Sequence, residues 1–208
     1  MQSDSAAWCI GTGYVAAAFM AGPGFFRMKF EHKNIRLNAS QYVGRKWYFV
    51  TICSAGRRKV LTRPGNAEKL MTHLLGVAKN CGMPVYAYCV MPDHLHVLVH
   101  GSLPTSDLLS FIKEFKQRTE LEFHAKFGRE FWQKKVYDRI LRPRDSPERV
   151  AAYIWMNPVR QGLCRHAVEY PHSGSTVVDW EEIARVSEPW VPDWKKTSPA
   201  TKVPTSNS

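Results

Sequence analysis

Hydrophobic and polar positions recur with a clear period over most of the chain. Residues 46–53 form a run rich in aromatic and β-branched residues, with Trp47, Tyr48, Phe49, Val50 and Ile52, and read as a strand. Arg57, Arg58 and Lys59 follow in a polar turn. From Asn66 to Asn80 the spacing of Ala67, Leu70, Met71, Leu74 and Ala78 predicts a helix, which Gly82 and Pro84 end. Residues 85–90 give a second strand. Pro92-Asp93 makes a tight turn, proline fixing one dihedral and aspartate bonding locally. Residues 94–100 then return as the antiparallel partner. A second helix is expected over 106–124, with Leu108, Phe111, Ile112 and Phe115 as its buried stripe. A fourth strand is expected over 136–141. The last clear helix starts at Asp145-Ser146-Pro147-Glu148: a cap residue, proline in the first turn, then an acid. It runs through Tyr153, is interrupted at Asn157-Pro158 and meets a turn at Gly162.

The order is strand, helix, strand, strand, helix, strand, helix. Its β-α-β-β-α-β core predicts an α+β, ferredoxin-like (split βαβ) antiparallel sheet. The first two helices cover one face, and the C-terminal, tyrosine-bearing helix is an addition for the other. Three regions are expected: an N-terminal extension over 1–40, the folded domain over 41–170, and a polar, largely disordered tail over 171–208. Residues 1–26 carry no basic residue and have Asp4, which does not suit a secretory signal. Their apolar runs are broken by Gly11, Gly13, Gly22 and Pro23 and are too short to span a membrane. A wrongly placed start site would account for such a segment.

Charge narrows the partner. The 208 residues carry a net charge of +11 and a sequence pI near 9.6, which asks for an acidic partner. Nucleic acid leads, although excess Lys and Arg for solubility would give the same balance. The five cysteines include no C-x-x-C pair, and Cys53 and Cys89 sit in apolar strands. A reducing compartment without a disulfide framework is the expectation.

Candidate chemistry lies in the strand that begins with His94-Leu95-His96. Alternate residues of a strand share a face, so both imidazoles can meet one metal ion. Taken alone, the pair is better explained by partly buried histidines bonded to their neighbours, since two ligands do not define a site. His100 has the same parity but lies about 13 Å further on, too far to share an ion. Tyr153 and Asn157 stand at i and i+4, on one face of the last helix. A phenol can attack phosphorus, and an amide oxygen can ligate a metal. Equally, Tyr153 suits an interfacial core position and Asn157 a cap before Pro158.

Two runs carry a resemblance. Tyr88-Cys89-Val90-Met91-Pro92-Asp93-His94-Leu95-His96-Val97-Leu98 resembles the HUH (His-hydrophobic-His) segment of single-tyrosine transposases. Ala152-Tyr153-Ile154-Trp155-Met156-Asn157-Pro158-Val159-Arg160-Gln161-Gly162-Leu163 resembles the REP-associated tyrosine transposases, a domesticated branch. Phe131-Trp132-Gln133 and Tyr137, between the two, fit the same branch. The likeness covers roughly residues 42–170, and two motifs in order are more specific than either alone.

The resemblance implies His94 and His96 as metal ligands, Tyr153 as nucleophile and Asn157 as third ligand. Many insertion-sequence members have glutamine at this last position, and asparagine reaches less far. It implies Mg²⁺ or Mn²⁺, cleavage and rejoining of single-stranded or hairpin DNA through a 5′-phosphotyrosine, and a bacterial, nucleoid-associated cytoplasmic protein. Insertion-sequence relatives work as dimers, so a homodimer is one expectation and a monomer the other. Arg57, Arg58, Lys113, Lys116, Lys134, Lys135, Arg142 and Arg144 are candidates for DNA contact, with Lys59, Arg118 and Arg139 as further ones. The alternatives are a non-catalytic hairpin DNA or RNA binder on the same fold and a metal hydrolase that uses water.

Overall fold

The computed structural model describes residues 38–128, 130–186 and 191–195. Five strands form one antiparallel sheet in the order β4-β1-β3-β2-β5. They are β1 (Trp47–Cys53), β2 (Val85–Val90), β3 (His94–His100), β4 (Tyr137–Ile140) and β5 (Ser173–Gly174). The helices are α1 (Asn66–Asn80), α2 (Leu108–Phe127), α3 (Pro147–Trp155), α4 (Asn157–Arg160) and α5 (Trp180–Val186). The expected α+β fold with a split βαβ core is the one observed.

Strand alternation sorts the core into two layers. Tyr48, Val50, Ile52, Leu95, Val97 and Val99 pack against Leu70, Leu74, Phe111 and Phe115 of α1 and α2. Phe49, Ala87, Cys89 and Leu98 point the other way, against Val150, Ile154 and Trp155 of α3. His94 and His96 share the parity of Leu98 and so belong to the α3 side. The β1–β3 register sets Thr51 opposite His96 and Cys53 opposite His94.

α3 begins as its sequence prescribes. The Ser146 hydroxyl accepts from the Arg149 N–H at 3.2 Å, and Pro147 fills the first turn. It ends at Trp155 because Pro158 has no N–H to continue the ladder. The Asn157 side-chain amide donates instead to the carbonyls of Tyr153 (3.0 Å) and Ile154 (3.1 Å). Arg160 Nη2 also donates to the Tyr153 carbonyl, at 2.7 Å. Gly162, at φ 67°, then turns the chain away.

The expected C-terminal tail is corrected in part. β5 pairs with β2, and α5 joins the second core layer through Ala184. Trp155 donates its indole N–H to the Gly174 carbonyl at 3.0 Å, and its ring lies 5.8 Å from that of Trp180. A two-residue strand shows no alternation, and a seven-residue helix shows little period. Residues 187–190 and 196–208 lie outside the described ones, as do residues 1–37 of the expected extension. Cys81, Cys89 and Cys164 are free thiols. Among the described residues no helix is long and apolar enough to cross a membrane.

Candidate active site

A cleft of about 490 Å³ opens beside the first residues of β3. His94, His96, Tyr153 and Asn157 all line it, together with Arg57, Lys59, Asp93 and Arg160. The four residues that the transposase motifs single out therefore converge, brought from a strand and from a helix that crosses the sheet face.

Each imidazole is held from behind. Asp93 Oδ1 lies 2.6 Å from His94 Nδ1, and Thr51 Oγ1 lies 2.8 Å from His96 Nδ1. The carboxylate can only accept when ionised, so His94 Nδ1 carries the proton and its Nε2 is the lone-pair nitrogen. The two Nε2 atoms face each other at 3.0 Å. Burial pulls the pKa of His94 down, although Asp93 opposes the shift. Burial first, then the charge His94 would carry if protonated and the positive charges of Lys195, Arg160 and Arg57, hold His96 well below the ordinary histidine value. Two neutral imidazoles with convergent nitrogens form a donor set for a borderline divalent ion, and a harder ion would need oxygen ligands beside them. One cation bound at about 2.0–2.2 Å from each nitrogen would separate them by roughly 3.0–3.5 Å, close to the spacing present. Buried partners on the far ring nitrogens are the support such ligands need.

Asn157 closes the end of α3 and also lines the cleft. Its amide nitrogen is committed to two α3 carbonyls, which fixes the orientation of the group. That leaves Oδ1 as the free acceptor of a residue that lines the cleft. Among the described residues no three His, Cys, Asp or Glu side chains cluster as a metal site. A third protein ligand would thus be a neutral oxygen, and Asn157 fits chemically.

Tyr153 is 1% exposed, and its hydroxyl has no hydrogen-bond partner among the described residues. Burial pushes its pKa up to about 12, with the Arg160 charge working against the rise. Its ring lies 6.5 Å from that of His96 and 6.2 Å from Phe49, which itself stacks on His96 at 5.6 Å. A buried phenol left without a partner is a costly feature, of the kind that functional sites retain.

The basic candidates separate by position. Arg57 and Lys59 are on the cleft. Arg57 is ion-paired to Asp93 at 3.0 Å and has a left-handed backbone, φ 56°. Lys134 and Lys135 are exposed just before β4, at the sheet end where His94 lies. Arg142 and Arg144 follow β4 at the opposite end, near Trp47 and His100. Lys113 is exposed on α2, the helix layer behind the sheet. Arg58 and Lys116 brace loops: Arg58 donates to the carbonyls of Ala55 and Glu130, and Lys116 to that of Gln133. Arg118 pairs with Glu114, and Arg139 with Asp145.

Four contributors escape a reading of the sequence. Asp93 looks like a turn residue but also orients His94. Thr51 acts through cross-strand register. Arg160 lies over the Tyr153 ring at 4.2 Å. Lys195 falls in the supposed tail, yet its ammonium sits 4.3 Å over the Tyr137 ring and burial lowers its pKa to about 8. Of these, the i+7 spacing from Tyr153 to Arg160 was the one available signal.

The fold and the cleft define a class: a split βαβ domain whose central strand offers two imidazoles to a tyrosine-bearing helix. The model of the IS200-like transposase family matches residues 42–156, and the chain belongs to that family. It is similar to the REP-associated tyrosine transposase of Escherichia coli (strain K12). The two are 23% identical over 145 residues, covering 66% of this chain and 85% of that protein. A solved structure of a REP-associated tyrosine transposase bound to a REP hairpin aligns with a TM-score of 0.58 and 22% identity. The match covers 79% of this chain and 96% of that one, a likeness of fold.

Proposed function

We propose that the protein cleaves and rejoins single-stranded DNA next to a hairpin, with Tyr153 as nucleophile and a divalent metal, Mg²⁺ or Mn²⁺, as cofactor. The observation that carries this is the convergence of His94, His96, Tyr153 and Asn157 on one cleft. Family membership supports a DNA-processing role, and the similar fold bound to a REP hairpin supports hairpin DNA as partner. The net charge of +11 suits a polyphosphate ligand.

In this reading His94, His96 and Asn157 hold the metal. When bound, it supplies Lewis-acid polarisation of the scissile phosphate and stabilises charge on its oxygens. Tyr153 Oη forms a bond to phosphorus as the P–O3′ bond breaks, its proton passing to solvent. The departing 3′ oxygen takes a proton from water. The product is a 3′-hydroxyl and a 5′-phosphotyrosine, which keeps the phosphodiester energy for rejoining.

The test is a REP hairpin with single-stranded flanks, incubated with Mg²⁺ or Mn²⁺. The wild-type protein should form a covalent protein–DNA adduct that is lost in Tyr153→Phe and on chelation. Hairpin binding without any adduct would leave a non-catalytic binder. Cleavage that survives in Tyr153→Phe would point to water as the nucleophile.

A further inference from the structure

Arg160 is held beside the nucleophile by two contacts. Its Nη2 donates to the Tyr153 carbonyl at 2.7 Å, and its Cζ lies 4.2 Å from the Tyr153 ring centroid. Together they fix the plane of the guanidinium against the ring. The side chain is otherwise exposed and lines the cleft.

Its charge is also unusual there. Arg57, the other arginine of the cleft, is neutralised by Asp93. Among the described residues no carboxylate pairs with Arg160. A guanidinium fork oriented against the Tyr153 ring, in a cleft whose carboxylate Asp93 is already paired with Arg57, suits a tetrahedral oxyanion.

We propose that Arg160 grips a non-bridging oxygen of the scissile phosphate, in the manner of a bidentate clamp, and is a catalytic residue of this site. The assignment rests on the proposed function, since it presumes that a DNA phosphate enters this cleft. It differs from the basic surface residues in being tied to the nucleophile's own helix. The phosphate is thereby placed relative to Tyr153 and not merely attracted to the protein.

The test is a charge cycle on binding. The cleavage position is first mapped with the wild-type protein from its adduct on a REP-hairpin oligonucleotide. The same oligonucleotide is then made with a neutral methylphosphonate at that linkage. Affinities for both are measured in the Tyr153→Phe background, which cannot attack but keeps the ring under Arg160. With Arg160 present, neutralising the phosphate should weaken binding by at least about tenfold. In Arg160→Gln the two oligonucleotides should bind alike, and Arg160→Lys should fall between. Thermal melts of each variant identify any that fail to fold, in which case Arg160→Lys carries the test. Equal sensitivity to the methylphosphonate with and without Arg160 would overturn the assignment. Failure of the wild-type protein to form an adduct would instead overturn the proposed function, so the two failures are distinct.

Discussion

The Tyr153 hydroxyl is buried and makes no hydrogen bond of good geometry among the described residues, with the Arg160 guanidinium beside it. A buried hydroxyl in that state costs about 1–3 kcal/mol. Tyr153→Phe should therefore melt at or above the wild-type temperature while losing DNA adduct formation. A loss of more than about 1 kcal/mol on urea unfolding would show that the hydroxyl has a structural partner. Thr51 is the opposite case. Its hydroxyl is the support of a fully buried imidazole, 2.8 Å from His96 Nδ1. Thr51→Val should destabilise the protein by about 1–3 kcal/mol and slow cleavage, although the residue never meets DNA. Unchanged stability in urea would contradict that role. The histidine pair is legible in the sequence because period two is visible along one strand. Thr51 is not, because its pairing with His96 depends on a register between strands 45 residues apart.

At the scale of elements, the Asn157-Pro158 interruption joins α3 to the chemistry. Proline leaves carbonyls at the end of α3 without donors, and Asn157 and Arg160 supply them. The same two side chains then face the cleft. Asn157→Asp keeps an oxygen ligand but replaces the donor amide with a second acceptor, at a helix C-terminus that disfavours negative charge. It should lose about 1–3 kcal/mol of stability by chemical denaturation. A variant as stable as the wild type would mean that the amide hydrogen bonds contribute little. The start of α3 is readable in Ser146-Pro147-Glu148, since capping chemistry is local. β5 and α5 are not readable, because their places depend on contacts with Tyr88, Cys89 and Trp155 that sequence spacing does not reveal. The same dependence hid Lys195, which reaches Tyr137 and Phe49 only once the chain has crossed the second face.

For the whole molecule, a large positive charge says that phosphate contacts matter but not where. The fold divides the basic residues between the cleft mouth, the far end of the sheet and the helix layer behind it. Lys59 lines the cleft, whereas Lys113 projects from α2. Lys59→Ala should weaken hairpin-oligonucleotide binding and reduce the slope of log affinity against log salt by about 1, with Lys113→Ala close to wild type. Equal effects from both would mean that DNA also follows the helix layer.

The central claim is that one cleft assembles a tyrosine nucleophile and a histidine-held metal. Peptide mapping by mass spectrometry of the protein after reaction with a REP-hairpin oligonucleotide and Mn²⁺ tests it most directly. The account predicts a nucleotide remnant on Tyr153 in the wild-type protein and none in His94→Ala or His96→Ala. DNA attached to a different residue, or an adduct that forms equally well without both histidines, would contradict it.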